Sequence, residues 1–267
     1  MPSVKIPRIG LGTWESKDPR TTPQSIAKAI QMGYRHIDTA QLYFNEELVG
    51  LGIRESGISR EELFLATKIS PSYLQPDDLK RMASESLNKL GVDFVDLLYI
   101  HWPAETYEPE VTLIALNEVM EEGLTKHIAV SNFTPPLLDE ALAISKNDLI
   151  ANQVEMHPLL QQREMVEYTK NHDMYLVAYS PLGRGLIHDI PEVKEIAERQ
   201  GISTAQVCLA WLLSKDNVLT IPKASSEQHQ RENLEALDVK LAPSDIQLIE
   251  SITDEERIVD PYFAPDW

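Results

Sequence analysis

The sequence predicts a single (β/α)8 TIM barrel with extra helices at its C-terminal end, with residues 1–267 as one domain. Short apolar runs recur at roughly 30 residues, which is the size of a βαβ unit. Amphipathic stretches separate these runs, and no Gly/Ser-rich linker divides the chain. A doubly wound sheet also fits the alternation, but eight strand-like runs in a chain of single-domain length favour the barrel.

The predicted strands are bounded by Gly, Pro or polar residues, and most are continuously apolar rather than alternating. This pattern is typical of parallel strands that are covered on both faces. The predicted strands are 9–13, 36–40, 63–68, 94–101, 127–131, 149–154, 175–180 and 218–222.

Helices are predicted where apolar residues recur at helical spacing between Gly or Pro boundaries. Gly91 ends the helix over 78–90, and Ser203 or Thr204 can cap the helix over 204–213. The aromatic, Pro-rich tail over 259–267 is expected to pack on the barrel. The other predicted helices are 112–122, 136–144 and 191–200, followed by two extra C-terminal helices over 229–237 and 243–252.

Charge and composition limit the classes of partner and the compartment that we expect for this protein. The chain has 42 acidic against 24 basic residues, a formal net charge of −18. Nucleic acids and anionic membranes need a basic surface, so neither is expected as a partner. Cys208 is the only cysteine, which indicates a reducing compartment. The start of the chain lacks the apolar region of a signal peptide, so we expect a cytoplasmic protein. We also expect it to be a monomer that acts on a small carbonyl substrate.

Four polar side chains follow or end predicted strands, where barrels carry their catalytic groups. An ammonium lowers the pKa of a nearby phenol from its usual value of about 10, and a carboxylate keeps that ammonium charged. A histidine can donate a hydrogen bond to a carbonyl oxygen. The set therefore suits general-acid reduction of a C=O group. Its members are Asp38, Tyr43, Lys68 and His101.

The sequence fits nucleophilic acyl transfer, a dinucleotide-binding domain and zinc hydrolysis less well than it fits carbonyl reduction. The chain has neither a G-x-S-x-G nucleophile motif nor a G-x-G-x-x-G dinucleotide motif. A zinc hydrolase would leave Lys68 and Tyr43 without a role, so no metal is predicted. That alternative would use His36, Asp38, His101 and His157.

Several segments, in order along nearly the whole chain, resemble the aldo-keto reductase superfamily. The segments are HIDTAQLYFNE (36–46), ATK (66–68), LYIHWP (98–103), VSNF (130–133), NQVEMHP (152–158), AYSPLG (178–183) and IPK (221–223). The resemblance implies a catalytic tetrad in which Tyr43 donates the proton and Lys68 lowers its pKa. It makes Asp38 the partner of Lys68, and His101 the group that orients the substrate.

The resemblance also implies an extended NADPH, with NADH left open, bound without a dinucleotide-binding domain. Tyr179 would stack on the nicotinamide ring, and Lys223 would meet the adenosine 2′-phosphate. The carboxamide would contact Ser131, Asn132 and Gln153. Ser180, Leu182 and Gly183 would line the pyrophosphate side. The remaining expected cofactor contacts are Gly12, Thr13, Trp14, Ser225 and Asn233.

The expected phosphate end can also be argued from the residues. Ser225 and Gln228 have capping-box spacing, and a capped helix N-terminus beside Lys223 favours an anion. The family's phosphate-binding arginine would align with His229. Arg231 lies roughly 200° further around the helix and is not expected to replace it. NADPH remains the favoured cofactor.

The segment after His101 is short, which resembles short microbial members of the family such as diketogluconate and methylglyoxal reductases. A shallow pocket for small or polar carbonyl compounds is therefore expected, with Trp14, Trp102 and His101 contacting the substrate. Further wall candidates are Tyr107 and Trp267. The alternative is a regulatory barrel that senses a nicotinamide cofactor with little turnover.

Overall fold

The computed structural model describes residues 4–267. Residues 1–3, which belong to the N-terminal segment where no signal peptide is expected, lie outside the described part. Eight parallel strands pair in chain order from β1 to β8. Their bounds are β1 Leu11–Gly12, β2 His36–Asp38, β3 Phe64–Ile69, β4 Val95–Ile100, β5 Thr125–Ser131, β6 Leu149–Glu155, β7 Tyr175–Tyr179 and β8 Val218–Thr220.

Helices surround the strands, and two of them follow β8. Their bounds are α1 Thr22–Met32, α2 Glu46–Ser56, α3 Pro76–Leu90, α4 Pro109–Glu121, α5 Pro135–Ile144, α6 Arg163–Asn171, α7 Pro191–Gln200, α8 Thr204–Leu213, α9 Glu227–Glu235 and α10 Pro243–Glu250. Short 3-10 segments lie at Gln41–Tyr43, Arg60–Glu62, Pro71–Tyr73 and Gly183–Asp189.

The sheet closes between its first and last strands. Parallel bridges join Ile9 to Thr220 and Gly12 to Lys223. A Cβ added at Gly12 would lie 2.5 Å from the carbonyl oxygen of Ile221, so only glycine permits this approach. The fold is therefore a closed (β/α)8 barrel, as the sequence predicted.

Two apolar clusters stabilise the barrel. The larger lies between the sheet and the helices, and it includes Ile30, Leu87, Leu116, Val207 and Trp211. The smaller combines strand side chains such as Ala66, Leu97, Ala129, Val177 and Leu219. Barrel interiors are packed cores, so the ends of the strands are where open space for ligands remains.

All eight predicted strands are present, with ends that differ by a few residues. The seven predicted helices are also present. The sequence analysis did not predict α1, α2 and α6. Residues that mark helix ends are nevertheless present: Pro23 lies in the first turn of α1, and Gly33 and Gly57 follow α1 and α2. Gln162 precedes α6. In α8 the cap is Ser203, whose side chain forms a full capping box with Gln206.

The tail packs on the barrel as expected. The indole of Trp267 lies edge-on to Trp102, with ring centroids 6.2 Å apart, and Phe263 contacts Trp102 at 5.6 Å. The guanidinium of Arg257 lies 3.8 Å from the centroid of the Trp267 ring. Within residues 4–267, every helix is too short or too polar to cross a membrane.

Candidate active site

A buried ion pair forms the base of the site. The ammonium of Lys68, on β3, donates to the carboxylate of Asp38 at the end of β2 and to the carbonyl oxygen of Thr39 at 2.9 Å. The side chains of Lys68 and Asp38 are 0 % and 1 % exposed. Adjacent parallel strands bring these two residues together, as the sequence predicted. Water cannot screen this pair, so each charge depends on the other.

Tyr43 and His101 lie next to this pair. Tyr43 ends the 3-10 turn that follows β2, and Gln41 fixes the turn by donating to the carbonyl of Met82 at 3.0 Å. The ring centroids of Tyr43 and His101 are 5.7 Å apart at 78°. The Lys68 ammonium lies 5.2 Å from the centroid of the Tyr43 ring. All four members of the predicted tetrad therefore meet at one point.

The structure corrects the expected pKa of Tyr43. Lys68 was expected to lower it, but burial of the phenol and the negative charge of Asp38 raise the pKa of Tyr43 well above its usual value. Burial is the larger of these two causes, because a phenolate at this site would lose its solvation by water. Burial and the charge of Lys68 hold the pKa of His101 well below 6.5, which keeps the imidazole neutral.

Amide side chains link the predicted nicotinamide contacts to the ion pair. Gln153, on β6, donates from Nε2 to Asp38 Oδ2 at 2.9 Å. Asn132 donates from Nδ2 to the carbonyl of His101 and to Ser131 Oγ, both at 3.0 Å. Its Oδ1 accepts the hydroxyl of Tyr179 at 2.9 Å. Both N–H groups of this amide are occupied, so Asn132 can offer a ligand only the second lone pair of Oδ1.

These groups face a cavity of about 720 Å³ at the C-terminal ends of the strands. Most predicted cofactor and substrate contacts line it. Those that do are Gly12, Thr13, Trp14, Asp38, Tyr43, His101, Trp102, Asn132, Gln153, Tyr179, Ser180, Leu182 and Lys223. The cavity is long enough to connect the tetrad with Lys223, which lies beyond β8.

The other predicted contacts do not line this cavity. Lys68 lies behind Asp38, and Ser131 donates to the carbonyl of Gln153 at 2.8 Å. Gly183 has a positive φ of 53° and shapes the turn after β7. Asn233 is buried on α9. Tyr107 was a wall candidate, but its ring packs on Phe133 at 5.4 Å, away from the cavity.

The cap at the predicted phosphate end also differs from the prediction. Ser226, not Ser225, caps α9, because its Oγ accepts the backbone N–H of His229 at 3.2 Å. Ser225 instead lies 3.5 Å from the Lys223 ammonium, and both line a smaller cavity of about 160 Å³. One register step separates the two serines, and only the backbone geometry decides which one caps. His229 is exposed at the start of α9.

Sequence reasoning missed two segments of the cavity wall. The loop after β7 contributes Arg184, Gly185 and His188, and the tail contributes residues 258–261. The guanidinium of Arg184 lies 4.4 Å from the centroid of the Trp14 ring. The loop could have been predicted because it directly follows the AYSPLG segment (178–183). The tail could not, because it is distant in sequence from every motif.

The remaining histidines do not assemble around a metal. His157 donates to Glu155, and His36 approaches the carbonyl of Pro7 at 3.3 Å. Within the described part of the chain, no three His, Cys, Asp or Glu side chains are grouped so that they could hold a metal ion.

Comparisons with known proteins agree with this geometry. The sequence profile of the Aldo/keto reductase family matches residues 8–254. A methylglyoxal reductase, DkgB of Escherichia coli O157:H7, is 39 % identical over 99 % of this chain and 100 % of its own length. Its reductase name favours catalysis over the regulatory alternative.

Solved structures show the same barrel. An aldo-keto reductase enzyme from a Medee basin deep-sea metagenome library superposes with a TM-score of 0.93 at 32 % identity, covering 99 % of this chain and 97 % of its own. An aldo-keto reductase of Bombyx mori in complex with NADP has a TM-score of 0.89 at 30 % identity, covering 96 % and 92 % of the two chains.

The fold and the polar site at its strand ends thus define an oxidoreductase barrel. The chain belongs to the aldo/keto reductase family. It is an enzyme that uses a nicotinamide cofactor and acts on aldehydes or ketones.

Proposed function

We propose that the chain reduces small aldehydes and ketones with NADPH, and that Tyr43 donates the proton that completes the alcohol. The observation that carries this proposal is the meeting of Tyr43 and His101 at the cavity floor, directly against the buried Lys68–Asp38 pair. A phenol and an imidazole side by side give a carbonyl oxygen two hydrogen-bond donors at once.

The donors along the cavity fit a nicotinamide dinucleotide. Near the tetrad, the free lone pair of Asn132 can accept from a carboxamide, and the ring of Tyr179 offers a flat face. Toward the other end lie the cations Arg184 and Lys223, which suit phosphates. When bound, the cofactor supplies a hydride to the carbonyl carbon.

Tyr43 is suited to donate rather than to ionise. Its raised pKa keeps the phenol protonated at neutral pH. The alkoxide that forms on carbonyl reduction is a stronger base than a phenolate, so proton transfer from Oη is downhill even from a buried tyrosine. Lys68 uses two of its three N–H groups on Asp38 and Thr39. We assign the third to the phenolate that Tyr43 becomes.

His101 orients the substrate oxygen. The imidazole is neutral, so it carries one proton. Its Nδ1 is buried and has no hydrogen-bond partner among residues 4–267, whereas the ring lines the cavity. The proton is therefore assigned to Nε2, the nitrogen on the cavity side, where it can donate to a carbonyl oxygen.

The substrate class follows from the walls near the tetrad. Trp14 and Trp102 provide flat apolar surfaces, and Asp260 adds a polar group at the tail side. Small dicarbonyls are the favoured class, which the name of the E. coli relative supports. We also infer that residues 1–267 act as one domain, as a monomer, in the cytoplasm; the buried thiol of Cys208 is the only cysteine.

The test replaces Tyr43 with Phe and follows methylglyoxal reduction with NADPH and with NADH. We expect turnover to fall by about 10²–10⁴-fold, the usual contribution of a general acid. Cofactor affinity, measured by fluorescence titration, should not change. The matched control is Tyr262→Phe, since Tyr262 is 94 % exposed and does not line the cavity. Near-wild-type turnover in Tyr43→Phe would refute the role of Tyr43.

A further inference from the structure

A buried carboxylate lies beneath the cavity wall and has no part in the chemistry described so far. Glu155 is the last residue of β6, and its side chain is 0 % exposed. Its Oε1 accepts from Nε2 of His157 and from the backbone N–H of Ile258, each at 2.8 Å. Its Oε2 accepts from the backbone N–H of Val259 at 2.8 Å.

These three donors stabilise the ionised form of Glu155. Burial by itself raises the pKa of this carboxyl, but His157, Ile258 and Val259 outweigh it and leave the pKa lowered. Nδ1 of His157 has no partner within residues 4–267. Nε2 of His157 carries a proton in this contact, because an ionised carboxylate oxygen can only accept a hydrogen bond.

The residues that Glu155 holds form one wall of the cavity. Ile258 and Val259 line it together with Asp260 and Pro261. Beyond them the tail reaches Trp102 through Phe263 and Trp267. Glu155 and His157 are not themselves lining residues, so they act on the cavity only through what they hold.

His157 contacts a second wall segment. A Cβ added at Gly183 would lie 3.8 Å from Cγ of His157, so the imidazole packs under the turn after β7. That turn leads to Arg184 and His188, which line the cavity. The pair Glu155–His157 thus supports two cavity segments that are about 75 residues apart in the sequence.

We propose that Glu155 and His157 are positioning residues, and that their hydrogen bonds fix residues 258–261 as the substrate-side wall of the site. The neighbouring anchor, from the N–H of Glu256 to the carbonyl of Leu159 at 2.8 Å, lies before the wall segment. Within the wall itself the backbone is held by the Glu155 carboxylate. This inference rests on the proposed function only where it concerns substrate affinity.

The decisive variant is Glu155→Gln, which is nearly isosteric. A glutamine has one acceptor oxygen and one NH2 group, so at least one tail N–H loses its acceptor in either orientation of the amide. Hydrogen exchange of the Ile258 and Val259 amides is the direct readout. We expect exchange of at least one of them to quicken by about tenfold, which corresponds to roughly 1.4 kcal/mol of local protection.

Steady-state kinetics give the second readout. For a bulky aromatic aldehyde, which must contact the wall, KM should rise by roughly tenfold while kcat stays within about threefold. For methylglyoxal, which is smaller, both constants should change less. A purely structural role would lower the amount of active enzyme and therefore kcat for both substrates alike.

The matched control is Asp245→Asn, a buried carboxylate on α10 that binds Arg199 and Gln200 and lies away from the cavity. It should leave both the tail exchange and the KM values unchanged. If Glu155→Gln does not fold, His157→Met removes one donor at similar volume and should shift the same readouts in the same direction by less.

Unchanged exchange of the tail amides in a folded Glu155→Gln protein would overturn the proposal. So would a loss of kcat with KM unchanged for both aldehydes. Absence of turnover in the wild-type protein with every carbonyl tested would instead refute the proposed function. The amide exchange would in that case still report whether Glu155 holds the tail.

Discussion

Removal of the Lys68 ammonium should destabilise the barrel strongly. In Lys68→Met the carboxylate of Asp38 stays buried, at 1 % exposure, and keeps the Nε2 donor of Gln153 at 2.9 Å but loses its counter-charge. Removing one partner of a buried ion pair lowers the free energy of unfolding by about 3–5 kcal/mol, because the remaining charge is left buried without a partner. At about 2–4 °C per kcal/mol for a chain of this size, Tm should fall by roughly 10 °C.

The assay is urea unfolding of the wild type, Lys68→Met, Asp38→Asn and the double variant. The double variant should recover much of the loss, since it leaves no unpaired charge in the interior. Lys194→Met is the control, because its partner Asp189 is 92 % exposed and such a pair contributes less than about 1 kcal/mol. Additive losses in the double variant, or a Lys68→Met protein as stable as the wild type, would refute the reasoning.

Three further predictions concern pH and the cofactor. Because the pKa of His101 is lowered, the imidazole stays neutral until the pH falls below its usual value of about 6.5. We therefore expect kcat/KM for reduction to stay level down to about pH 6.5 and to fall only below it. A decline that begins near pH 8 would contradict this expectation. Since the pKa of Tyr43 is raised, the ultraviolet difference between the wild type and Tyr43→Phe should show no tyrosinate below about pH 10. His229→Arg should increase the preference for NADPH over NADH in kcat/KM; an unchanged preference would refute our account of the phosphate end.

Most of the fold follows from local patterns. The eight apolar runs are continuous because parallel strands are covered on both sides, and each became a strand of the barrel. Helices α1, α2 and α6 went unpredicted even though Gly33 and Gly57 mark the ends of two of them. Strands were predicted more reliably than helices. A strand that is buried on both faces is a continuous apolar run, whereas a helix that is buried on one face has only a periodic apolar pattern.

The site was predictable where its residues lie within one motif or directly after a strand. Asp38 and Lys68 follow from the rule that catalytic groups gather at strand ends. The direction of the Tyr43 pKa shift was not predictable, because it depends on how strongly the fold removes the phenol from water. The cap of α9 was wrong by one residue, since Ser225 and Ser226 are equally good caps in sequence.

The sequence alone predicted a barrel and the polar residues that gather at the ends of its strands, because each of them occupies a position that local pattern specifies. Only the tertiary structure decided how those residues act on one another. It paired Lys68 with Asp38, placed Tyr43 against that pair, and brought the tail over β6 to meet Glu155. Burial and long-range hydrogen bonds set charge and position, and both arise between segments that no local pattern relates.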